Sequence, residues 1–113
     1  MLDAVKKACR VTAAAYDDEL IDLIAAAKAD LTLAGVAQGR ANDETDPLIR
    51  RAVKTFCRMN FGAPENYDKL KASYDEQKAQ LQGASGYTMT SEEVTEYIVA
   101  LFESMGGASD GES

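Results

Sequence analysis

Arg50, Arg51, Lys54 and Arg58 are the side chains best placed to do chemistry in this chain, because they gather four cations within nine residues of an acidic protein. If residues 47–61 are helical, positions 50, 51, 54 and 58 fall together on one side, since neighbours on a helix surface are three and four apart. Arginine offers a planar fork that matches a carboxylate or phosphate with two parallel hydrogen bonds, and lysine adds a point charge. Such a stripe admits two explanations. The simpler one is a solvated face held in local ion pairs. The other is a contact with a defined anionic partner.

The remaining reactive side chains do not assemble into a catalytic set. Histidine is absent, so no Ser-His or Cys-His nucleophile pair can be built. No glycine-rich phosphate loop opens a helix, and neither CxxC nor HExxH spacing occurs. Asp17, Asp18 and Asp22 are close in sequence, but paired acids on a helix surface usually serve solvation. The cluster Asp43, Glu44 and Asp46 invites a calcium site, yet it lacks the alternating acids, central glycine and distal glutamate of an EF-hand loop. Cys9 and Cys57 stand 48 residues apart with no other ligands near them, and read as buried small hydrophobes, with a disulfide the alternative. The expectation is a protein that is not an enzyme and takes no metal or cofactor.

Composition narrows the setting. At 113 residues the chain suits one domain with a modest core, and 46% apolar residues is too many for a disordered chain. No run approaches the roughly 20 apolar residues of a membrane-spanning helix. The opening MLDAVKKACR has neither the apolar core nor the cleavage site of a signal peptide, so a soluble, intracellular protein is expected. The net charge of −7 is uneven. Residues 1–40 carry five cations and six anions, residues 41–82 seven of each, and residues 83–113 six acids and no base. A near-neutral body is not the usual basic nucleic-acid binder.

Five helices and no strand are expected to position these groups. Residues 1–9 form a short helix with Leu2, Val5 and Cys9 inward, and residues 10–16 a connector. Acids at 17–19 suit the positive start of a second helix, which runs to Ala34 and ends at Gly35. Leu20, Leu23, Ile24, Ala27, Leu31 and Ala34 make its core stripe. Ala25, Ala26, Ala29 and Leu33 occupy its far side, where small residues allow another helix to approach, although alanine is also simply a good helix former. A polar loop over 36–45 leads to Asp46, a cap, and Pro47, suited to a first helical turn. This third helix buries Leu48, Ile49, Ala52, Phe56 and Met59 and ends at Gly62. The fourth, 66–82, has a narrow stripe of Tyr67, Leu70, Tyr74, the Lys78 stem and Leu81, as at the edge of a bundle. Gly83, Ser85 and Gly86 read as a hinge. Thr90 and Glu93 have capping-box spacing ahead of a fifth helix. Its apolar face is Val94, Tyr97, Ile98, Leu101, Phe102 and Met105, opposite Glu92, Glu93, Glu96 and Glu103. Residues 106–113 read as a disordered tail.

In order along the chain, LDAVKKACRVTAAAYDDELIDLIAAAKADLTLAGV, DPLIRRAVKTFCRMNFG and YDKLKASYDEQKAQL resemble the head–tail connector, or adaptor, proteins of tailed double-stranded DNA phages. The resemblance covers residues 1–82. It implies a small all-α bundle of four helices, to which this chain adds a hinge and C-terminal helix over 83–105. It further implies a structural subunit that forms a homo-oligomeric ring below the portal protein, extends the DNA channel and docks the next head-completion, stopper or tail protein. Such proteins are often labelled DNA-packaging proteins; they are virion parts made in the bacterial host cytoplasm, and DNA passes them without sequence-specific binding. On that reading Arg50, Arg51, Lys54 and Arg58 meet a neighbouring subunit or the channel DNA, and Ala25, Ala29 and Leu33 form a helix-packing interface. The fifth helix is the extra element and a docking device. The competing expectation is a helical DNA-binding or regulatory module that uses the same four cations. Against it, no aromatic or amide side chains flank the stripe for base readout.

Overall fold

Asp46 and Pro47 start the helix on which the others pack. The Asp46 carboxylate accepts hydrogen bonds from the backbone N–H of Leu48 (2.9 Å) and Ile49 (3.3 Å), satisfying two donors that the first turn leaves free. A computed structural model describes residues 1–84, 86–88 and 91–104. In it this helix, α4, spans Pro47–Asn60, and packs against α1 (Leu2–Cys9), α2 (Asp17–Leu33) and α5 (Tyr67–Gly83). The chain is all-α. Six helices are present among the described residues, completed by α3 (Gln38–Ala41) and α6 (Ser91–Ser104), together with a 3-10 turn at Ala14–Tyr16.

The core follows the apolar spacing. Leu20, Ile24, Ala27 and Leu31 line the inner side of α2, and Val5 joins them from α1. Ile49, Ala52, Val53, Cys57 and Met59 come from α4, and Leu70, Tyr74 and Leu81 from α5. Because α4 has helices on several sides, its buried residues are not one stripe: Val53 and Thr55 join the expected set, and Cys57 is buried as its type suggested. Leu48, expected inside, is 38% exposed at the start of α4. On α5 the buried polar position is Gln77 rather than the Lys78 stem, and Tyr67 is 40% exposed.

Three local features lie outside the sequence reading, and a fourth, Gly62, agrees with it. Part of the 36–45 loop winds into α3, so the described residues hold six helices rather than five. Arg10 ends α1 at φ 59, a left-handed conformation that lets its N–H and that of Val11 reach the Lys6 and Lys7 carbonyls. At the other end, Lys6 pairs with Asp17 at 2.7 Å, fixing the connector against the start of α2. Gly62, at φ 69, supplies the reversal after α4.

Tyr74 joins α5 to α2. Its hydroxyl donates to the Asp30 carboxylate, which Lys78 also approaches at 3.2 Å. Its ring meets Phe56 of α4 edge-on, with centroids 5.4 Å apart. Burial, followed by the Asp30 hydrogen bond and charge, pushes the Tyr74 hydroxyl well up, so it remains a donor.

Candidate interaction surfaces

Among the described residues, the α4 cations that find a hydrogen-bond acceptor find a neutral one. Arg50 donates to the Glu44 carbonyl oxygen at 3.1 Å and Arg51 to the Gln80 side-chain oxygen at 2.8 Å, both neutral acceptors. Among the described residues, none of Arg50, Arg51, Lys54 and Arg58 makes an ion pair. Lys6, Lys28, Lys71 and Lys78 all do. Among the described residues the stripe is therefore a partly solvated face without local ion pairs. Arg51 and Arg58 are exposed, and Arg50 and Lys54 half-buried, so stems pack on the bundle while charge reaches solvent. Arg58 also lies close enough to Cys9 to offset part of the rise that burial imposes on that thiol.

The back of α2 lines an open groove of about 700 Å³. Ala25, Ala29 and Leu33 all border it, joined by Ile21, by Leu2 of α1 and by Tyr97 of α6. Leu33 is 81% exposed and Ile21 49%, so this side of α2 carries apolar surface that the subunit leaves uncovered. At one end Glu44 holds both Lys28 and the N-terminal amine, the latter at 3.2 Å. These two partners, Lys28 first, outweigh desolvation and hold the Glu44 carboxyl below the usual glutamate range.

Helix α6 keeps its apolar residues largely in solvent. Val94, Ile98, Leu101 and Phe102 are exposed, Phe102 most of all at 68%, and only Tyr97 turns half-buried into the groove. Glu92, Glu96 and Glu103 are exposed on the other side. Met105, the Thr90 cap and the 106–113 tail lie outside the described residues.

One element escaped sequence reading. The segment Gly86–Thr88 is fastened to the connection between α2 and α4. Tyr87 donates its hydroxyl to Asp46 at 2.7 Å, and its carbonyl accepts from the Ala37 N–H at 2.6 Å. Arg40 donates to the Gly86 carbonyl at 3.0 Å and lies 5.5 Å from the Tyr87 ring centre. Val36 and Thr88 form an isolated antiparallel bridge. Among the described residues, 86–88 thus form a latch within the segment expected to be a hinge. A lone aromatic after Gly86 was the available signal; its partner, Asp46, is 41 residues away. The Tyr87 hydrogen bond, with those from Leu48 and Ile49, holds the Asp46 carboxyl below its ordinary range against a desolvation that raises it.

Among the described residues no cluster of His, Cys, Asp and Glu could hold a metal ion, and no helix is long and apolar enough to cross a membrane. A small helical bundle whose notable features are outward-facing surfaces has the character of an assembly subunit. The family model of phage connector proteins matches residues 1–88, and the chain belongs to that family. No curated protein and no solved structure matches it. Its role is structural, in the head–tail region of a phage virion, with other phage head or tail proteins as partners. The match extends past the 82 residues of the sequence resemblance and ends at Thr88, where the latch ends.

Proposed function

We propose that the protein is a ring subunit of the head–tail junction, seated below the portal, where it extends the DNA channel and docks the next completion or tail protein. Family membership carries the head–tail part of this reading. What supports the ring is a subunit with two unlike, uncovered surfaces: the cationic side of α4, and the groove behind α2 with α6 beside it. Unlike surfaces that fit one another join copies head to tail, and such contacts close into rings when the rotation per subunit allows. In this reading Arg50, Arg51, Lys54 and Arg58 belong to the contact between copies, and Ala25, Ala29 and Leu33 admit a close helix approach. DNA passes without base recognition.

Removal of the gene from a phage that carries it tests the function directly. Particles should accumulate as heads and tails that fail to join, and the protein supplied in trans should restore joining. Normal tailed particles without the protein would contradict the proposal.

A further inference from the structure

Among the described residues the four α4 cations have no carboxylate partner in their own subunit, and α6 is an acidic helix with no cation along its length. Glu92, Glu96 and Glu103 lie at i, i+4 and i+11, which places them on one side of α6 over about 16 Å at 1.5 Å per residue. Arg50 to Arg58 covers about 12 Å of α4 by the same rise, so the two charged sides are of similar length. Both have apolar edges. Val99 (49% exposed) and Phe102 (68%) border the glutamates, and Leu48 (38%) stands beside Arg51 on the helix surface. Exposed ion pairs alone bind weakly, and apolar surface alongside them is what a lasting contact requires. Among the described residues no ion pair joins α4 to α6 within one subunit.

We infer that the acidic side of α6 on one copy docks along the cationic side of α4 on the next copy. This rests on the ring reading and specifies its contact. The occupant is a second copy of the chain because it brings an acidic helix of matching length with apolar residues beside its charges. The contact is heterologous, each copy giving α6 to one neighbour and receiving another on α4. Within its own subunit α6 brings Tyr97 to the groove, and residues 86–88 ahead of it are latched to Asp46.

A charge exchange tests this. One variant carries Arg51→Glu and Arg58→Glu; the other carries Glu96→Lys and Glu103→Lys. Each alone should keep its helical circular dichroism yet self-associate at least about tenfold more weakly, because like charges then face each other. Mixed together they should assemble again, since every contact in an alternating ring is complementary, and the variant with all four changes should assemble alone. Wild-type association should weaken as salt rises from 0.1 to 1 M and the screening length falls from about 10 Å to about 3 Å. In parallel, zero-length cross-linking of mixed light and heavy wild-type protein should join Lys54 of one copy to Glu96 or Glu103 of another. This readout decides the matter if a variant fails to fold. Folded variants that assemble like wild type, or that fail to rescue each other, overturn the contact while leaving the ring. Intact assembly with loss of DNA retention in the Arg51/Arg58 variant assigns the stripe to DNA and likewise overturns it. Wild-type protein that never self-associates removes both the contact and the ring.

Discussion

Tyr74→Phe is the most informative single change to the bundle, because it removes one oxygen and leaves the packing in place. The ring is 2% exposed and keeps its edge-on contact with Phe56. What is lost is the hydroxyl donated to Asp30. A hydrogen bond to a charged acceptor contributes about 1.5–3 kcal/mol when the acceptor is left unsatisfied. Here Asp30 retains Lys78 at 3.2 Å, and its side chain is 36% exposed, so water replaces part of the loss. The expected cost is therefore about 1 kcal/mol, below the bottom of that range. For a domain of this size that lowers the unfolding midpoint by about 4–8 °C. Thermal unfolding followed by circular dichroism measures it, with Tyr67→Phe, at a 40% exposed ring, as a control expected to change nothing. An unchanged midpoint in Tyr74→Phe would show that the α2–α5 contact owes nothing to this hydrogen bond.

Asp46→Ala should cost more than about 1 kcal/mol, the contribution of the lost α4 cap, because the Tyr87 hydrogen bond goes with it, whereas Asp46→Asn should retain the cap, as equilibrium denaturation will show. Glu44 has a folded pKa below its ordinary 4.5, so its pairing stabilises the fold above that pH and is lost as pH falls through the depressed value. Glu44→Gln should accordingly flatten the acid limb of a stability–pH curve as pH falls below the ordinary glutamate range, and an identical acid limb would contradict the assignment. Burial pushes the Cys57 thiol up to about 12, so native protein near neutral pH should alkylate at Cys57 only on unfolding, with Cys9, half-buried beside Arg58, reacting first; mass spectrometry of timed samples distinguishes the order. Truncation after Thr88 should leave the bundle's unfolding midpoint nearly unchanged, while truncation after Gly83 should lower it by removing the latch to Asp46, Ala37 and Arg40.

Periodicity and punctuation made much of the fold legible. Asp46, Pro47 and Gly62 mark α4 through local backbone chemistry, and the inner side of α2 follows from 3.6-residue spacing alone. Less legible were the features set by distant partners. The extra buried positions on α4 exist because three helices surround it, which one helix pattern cannot reveal. Gly83, Ser85 and Gly86 read as a hinge because glycine permits one; the reach of Tyr87 to Asp46 and Ala37 across the fold left no local signal. The cation stripe was visible as a pattern, but the want of ion pairs along it depended on where Glu44 and Gln80 lie. Glu44 is taken by Lys28 and the N-terminus, and offers Arg50 only its backbone oxygen. The family signal was in the motifs, and the match runs on to residue 88, the last residue of the latched segment described after α5.

Electron microscopy of the assembled full-length protein, at low salt and high concentration, tests the central claim most directly. The account predicts closed rings of one chain around an open central channel, which fall apart as salt rises. Particles no larger than dimers, or open filaments without closure, would contradict it.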